Sequence, residues 1–215
     1  MFEYDLCIIG GTTRKGLCWG LAFAQAGFSV VLYSEKNDEE SFYQIKKGTM
    51  PYCEPYAQEM LISVFNKKLK MSFDKNVISK SRYCMISDDR LGKYETAHSR
   101  YQWQNLLQLL QAGVSASQTV IVEDPLFHSM TEVFKDYEIQ NLVLCVADVH
   151  ENTMIQDMHQ NSLAIASHDG PEILKEVTSL FVCITDQLIR VPVAHVESLI
   201  QLPLTQPHKE TQRAW

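Results

Sequence analysis

Gly10, Gly11, Thr12, Thr13, Arg14, Lys15 and Gly16 are the residues whose types and spacing point most directly to chemistry. Glycines spaced G-x-G-x-x-G let a chain turn sharply after a strand, bring backbone N–H groups to a phosphate and pack the next helix closely. Here the first and last glycines stand one residue further apart, and Thr12 takes the second glycine's place. Its Cβ crowds the approach of a pyrophosphate, while Arg14 and Lys15 are charged to attract one. A ribose hydroxyl is ordinarily held by an acid roughly 20 residues further on. That place falls on Ser34, with Glu35 next door as a substitute, although adjacent strand residues point to opposite faces.

Other reactive side chains are scattered. The six cysteines, Cys7, Cys18, Cys53, Cys84, Cys145 and Cys183, form no C-x-x-C pair and are expected to be buried, reduced thiols. The seven histidines make neither a metal-binding i, i+4 pair nor a triad, so no metal and no catalytic residue is expected. Asp88 and Asp89, and further on Glu123 and Asp124, read as solvated loop acids.

The elements that position the glycine loop follow from apolar periodicity. Residues 6–9 are a short apolar run and residues 17–26 a helix closed by Gly27, with a β-branched strand over 28–33: a β-α-β unit with parallel strands. Residues 34–40 are polar. Helical spacing returns over 58–65 and, with Trp103, Leu106, Leu107 and Leu110, over 101–110. Further strands are predicted at 82–87, 119–122, 142–147, 163–166 and 188–191, and a helix over 171–181 opening on Pro171. Such alternation gives a Rossmann-like α/β domain, a doubly wound, mostly parallel sheet with helices on both faces. It spans residues 1–202, and a polar, proline-interrupted tail occupies 203–215.

Composition narrows the partners. A formal charge of -7 gives no attraction to nucleic acid or an anionic membrane. No run approaches the roughly 18 apolar residues of a membrane span. Glu3 and Asp5 precede the first apolar run, the wrong charge for a secretory leader, so a cytoplasmic protein is expected.

Several segments in order resemble the N-terminal domain of the UDP-glucose/GDP-mannose dehydrogenase family. They are residues 7–33, Gly48 through Pro51 to Tyr52, Glu54 and Pro55, residues 68–86, residues 119–122 with Pro125 and Thr131, and residues 169–181 and 193–202. The resemblance implies an NAD-binding fold and a helix near 193–202 that in the family links domains and builds a dimer.

Against the family's pattern, its Thr-Pro turn is replaced by Ser87, Asp88 and Asp89, its substrate-side motif is reduced to residues 148–152, and its linking-helix lysine falls on Gln201. Its nucleophilic cysteine belongs to a domain after this chain's last residue. The reading that follows is a non-catalytic relative, a pseudoenzyme without a cofactor, serving as an adaptor or scaffold in a larger complex. Leu199, Ile200, Leu202 and Leu204 are the candidate contact to a protein partner or second copy. The alternatives are a sensor of NAD or a nucleotide sugar, with Gly10 to Gly16 and Glu35 as a vestigial cofactor site, or a subunit of a sugar-nucleotide dehydrogenase.

Overall fold

A computed structural model describes residues 1–35, 38–91, 96–123, 130–167, 169–193 and 196. The chain alternates β1 (Tyr4–Ile9), α1 (Arg14–Gln25), β2 (Val30–Tyr33), α2 (Glu39–Lys46), α3 (Ala57–Val64), β3 (Leu69–Ser72), α4 (Asn76–Ser79) and β4 (Ser81–Ile86). It continues through α5 (Ala97–Gly113), β5 (Thr119–Glu123), α6 (Met130–Asp136), β6 (Leu142–Ala147), α7 (Met154–Gln160), β7 (Leu163–Ser167), α8 (Pro171–Phe181) and β8 (Leu188–Arg190).

The strands form one sheet in the order β3-β2-β1-β4-β5-β6-β7-β8. Strands β1 to β6 run parallel; β7 pairs antiparallel with β6, and β8 lies parallel to β7. After β3 the chain returns to place β4 beside β1, with Ile9 opposite Tyr33 on one side and Ile86 on the other. The strand order therefore reverses between β1 and β4, where a crevice forms beyond the carboxyl ends in sheets of this kind.

Helices cover both faces because the strands are apolar on both. Leu6 and Ile8 of β1 join a core with Trp19, Phe23 and Phe181, while Tyr4, Cys7 and Ile9 join a second core with Trp103, Leu107 and Leu110. Helix α1 is buried continuously from Gly16 to Ala24, as expected of a helix apolar all round. Its approach to the sheet depends on Gly16, where an added Cβ would lie 2.3 Å from the Gly10 carbonyl oxygen.

The strands fall close to their sequence-predicted positions, and α8 matches residues 171–181. Four short helices were not foreseen. The polar stretch after β2 leads into α2, and α4, α6 and α7 contain four to seven residues each, too few for a periodic apolar signature. No helix among the described residues is long and apolar enough to cross a membrane.

Candidate functional site

The carboxyl ends of β1, β2, β4 and β5 bring together most of the residues singled out by chemistry. Gly10 turns the chain with a φ of 87°, which favours a residue without Cβ. Thr13 then caps α1: its hydroxyl donates to the Gly10 carbonyl at 2.7 Å and accepts from the Gly16 N–H at 3.2 Å.

Thr12, in the second glycine's place, turns toward β2. Its buried hydroxyl lies 2.7 Å from Ser34 Oγ and donates to Asp38 Oδ2 at 2.9 Å, and its carbonyl accepts from the Tyr52 hydroxyl at 2.6 Å. Ser34 Oγ is also 3.0 Å from Asp38 Oδ2. The acid at the end of β2 is thus Asp38, reached from the turn into α2. Sequence reasoning placed the acidic role on Ser34's neighbour Glu35, which is exposed. The available signal was an acid four residues beyond Ser34, displaced from the usual position.

Arg90, in the turn after β4, ties this cluster to the other side of the crevice. It donates to Asp38 and grips Asp88 with two bonds of 2.7 and 2.6 Å, a planar fork on a carboxylate. Burial pushes the Asp38 carboxyl up, but hydrogen bonds from Arg90, Thr12 and Ser34 and the Arg90 charge outweigh it and hold the group below the usual range. Asp89 goes the other way: burial raises it, reinforced by Asp88 and only partly opposed by the Lys15 N–H and by the charges of Arg90 and Lys15.

Arg14 and Lys15 are paired within the chain. Arg14 reaches Glu54 at 3.1 Å and Asn152 Oδ1 at 3.1 Å, and lies 5.3 Å above the Tyr52 ring. The buried Glu54 carboxylate also accepts the N–H groups of Asn152 at 2.8 Å and Met154 at 3.1 Å, fastening the start of α7 to the glycine loop. Lys15 Nζ is 3.3 Å from Glu123, whose other oxygen accepts the Ser87 hydroxyl at 2.7 Å. The Lys15 N–H, in the first turn of α1, points to Asp89 Oδ2 across a long 3.5 Å.

Reading Glu123 as a solvated loop acid therefore fails, because Glu123 is buried on an ion pair. Asp89 is exposed in the turn after β4, as expected, and faces the first turn of α1. Two of the cysteines, Cys53 and Cys183, are exposed, contrary to expectation, while Cys7, Cys18, Cys84 and Cys145 are buried. Among the described residues no group of three or more His, Cys, Asp or Glu side chains could hold a metal ion. The proposed contact residues Leu199, Ile200, Leu202 and Leu204, with the tail 203–215, lie outside the described residues, as does Asp124.

Beside the Arg90 bridge opens a cavity of about 170 Å³. Its lining includes polar Ser34, Glu35, Asp88 and Arg90, apolar Leu91, Leu106 and Leu109, and the amide groups of Gln102 and Asn105 of α5. Gly10 and Ile9 border it from β1, so it occupies the switch point of the sheet.

No family model and no curated protein matches the sequence. Solved structures do match. The chain superposes with a TM-score of 0.76 on a UDP-glucose dehydrogenase from Pyrobaculum islandicum, at 14% identity over 91% of this chain and 48% of that one. It superposes with a TM-score of 0.74 on GDP-mannose dehydrogenase from Pseudomonas aeruginosa, at 14% identity over 92% and 48%. The chain spans about half the length of these dehydrogenases, and what it shares with them is the Rossmann-like fold of their nucleotide-binding half, as the sequence resemblance implied.

An imine reductase from Myxococcus stipitatus, solved in complex with NAD+, superposes with a TM-score of 0.58 at 11% identity over 93% of this chain and 59% of that one. The expectation of a chain without a cofactor is corrected by this finding. The fold is one that carries NAD+ in a structural neighbour.

Proposed function

We propose that the chain is a non-catalytic nucleotide-binding module that holds the adenosine end of NAD, or of a related adenine nucleotide, in the switch-point cavity. The observation that carries this reading is the cavity itself. It lies beyond the carboxyl ends of β1, β2 and β4, where open α/β sheets bind ligands, and its lining combines three leucines with a hydroxyl and acids suited to a base and its sugar. Its size selects a fragment, since about 170 Å³ is well below the roughly 300–1,000 Å³ of pockets that enclose a whole drug-sized ligand. Adenosine fits this description; the nicotinamide end would lie outside it.

The adenosine half of the cofactor fits these residues better than the pyrophosphate half. Ser34 lines the cavity at the end of β2, where sugar hydroxyls are held, with Asp38 behind it at 3.0 Å, but Thr12 replaces a glycine and the loop's cations are already bonded to carboxylates. This asymmetry favours recognition over hydride transfer, because transfer needs the nicotinamide positioned against a substrate.

Thermal melting with millimolar NAD, NADH, NADP, UDP-glucose and GDP-mannose tests the reading, because a ligand that binds only the folded state raises the melting temperature by mass action. NAD and NADH are expected to raise it by a few degrees and the nucleotide sugars, which lack adenine, to leave it unchanged. A shift with a nucleotide sugar alone, or none with any ligand, would reject an adenosine pocket.

A second reading, a protein-binding adaptor, is supported by the internal pairing of Arg14 and Lys15, which holds the loop in place through the chain's own carboxylates. Melting that ignores every nucleotide favours it.

A further inference from the structure

The ground in front of α1 is already taken by the chain's own charges. In a dinucleotide fold the free N–H groups of this helix's first turn, with the positive end of its dipole, receive the pyrophosphate. Here the Gly16 N–H is bonded to the Thr13 hydroxyl and the Lys15 N–H faces Asp89. The Arg14 guanidinium is bound to Glu54 and the Lys15 ammonium to Glu123, both carboxylates with side chains 1% exposed or less. Asp88, next to Asp89, engages Arg90 with both oxygens. Asp38, Glu54, Asp88, Asp89 and Glu123 thus outnumber Arg14, Lys15 and Arg90 around the loop, and Glu35 adds another acid at the cavity. An incoming phosphate would meet carboxylates within a few ångströms, at separations over which like charges repel strongly in a partly buried setting.

We infer that the switch-point cavity takes an uncharged nucleoside in preference to the phosphorylated nucleotide, with the Asp89 carboxylate standing in for the pyrophosphate at the start of α1. The inference rests on the adenosine-pocket reading and refines it: NAD is held by its adenosine end, and its phosphates weaken rather than strengthen the complex. Asp89 is the specificity-determining residue. It lies outside the lining of the cavity, so neutralising it changes the charge met by phosphates and leaves the nucleoside's contacts in place.

Calorimetric titration of the full chain with adenosine, ADP and NAD, at low and at high salt, decides the matter. Adenosine is expected to bind at least about threefold more tightly than ADP or NAD, and salt, by screening the repulsion, to strengthen NAD binding while leaving adenosine unchanged. Asp89→Asn is expected to tighten NAD at least fivefold with adenosine again unchanged. NAD binding as tightly as adenosine or more so, NAD weakened by salt, or an Asp89→Asn variant that does not narrow the gap, would overturn the inference. The salt titration needs no variant and decides alone should Asp89→Asn fail to fold. Binding of neither adenosine nor NAD would instead sink the adenosine-pocket reading on which the inference stands.

Discussion

Asp38 and Asp89 lie on opposite sides of the same crevice, and their environments push them in opposite directions. Asp38 is held below the usual range once Arg90, Thr12 and Ser34 outweigh its burial. A depressed carboxylate contributes stability that is present above its unfolded pKa of about 3.9 and lost as pH falls through the folded value. Asp89 is raised, chiefly by burial, so its ionisation costs stability as pH climbs from the unfolded value through the folded one. Melting curves from pH 3 to pH 8 are therefore expected to separate two variants. Asp38→Asn should melt lower than the parent at pH 7 and converge with it in acid. Asp89→Asn should melt higher at pH 7, and that gain should vanish near pH 3; a loss at pH 7 would contradict the account. At this scale the glycine loop and its oddities were legible in the sequence, because a missing glycine is visible in one dimension. The partners were not. Glu54 precedes α3, Asp89 follows β4 and Glu123 ends β5, and only the assembled sheet brings them to Arg14 and Lys15.

The element that depends most on those partners is α7. It contains seven residues and has no side-chain cap of its own from Thr153. Its start is held by Glu54, delivered from the turn before α3 by the segment Tyr52, Cys53, Glu54 and Pro55, which was recognisable in the sequence without any indication of its role. Replacing Glu54 by Ala removes the acceptor for two backbone N–H groups and the ion pair of Arg14, at a cost of about 2 kcal/mol. Hydrogen exchange should accelerate at Met154 to Met158 in Glu54→Ala and stay unchanged in β1 and β4. Uniform acceleration across the sheet would mean that Glu54 supports the whole fold instead of one helix. The long elements were legible because their apolar runs or stripes repeat often enough to be seen. Helices α2, α4, α6 and α7 are short, and tertiary contacts rather than periodicity decide them.

On the scale of the whole molecule, the sheet makes the site possible. Its parallel strands, apolar on both faces, need helices above and below, and alternating β1 residues supply the two cores. That sandwich fixes where the order reverses, between β1 and β4, and so where a cavity opens. The architecture could be read from alternating apolar runs; the reversed direction of β7 could not, because an antiparallel strand and a parallel one carry the same apolar pattern here. The central claim, that an adenosine end enters this cavity, is tested most directly by mapping backbone amide shifts in the isotope-labelled protein as NAD is titrated in. The account predicts shifts gathered at Gly10, Ser34, Glu35, Leu91, Asn105 and Leu109, with β7 and β8 silent. Shifts gathered at Thr178, Val182 and Ile189 on the far edge of the sheet, or none at all, would contradict it.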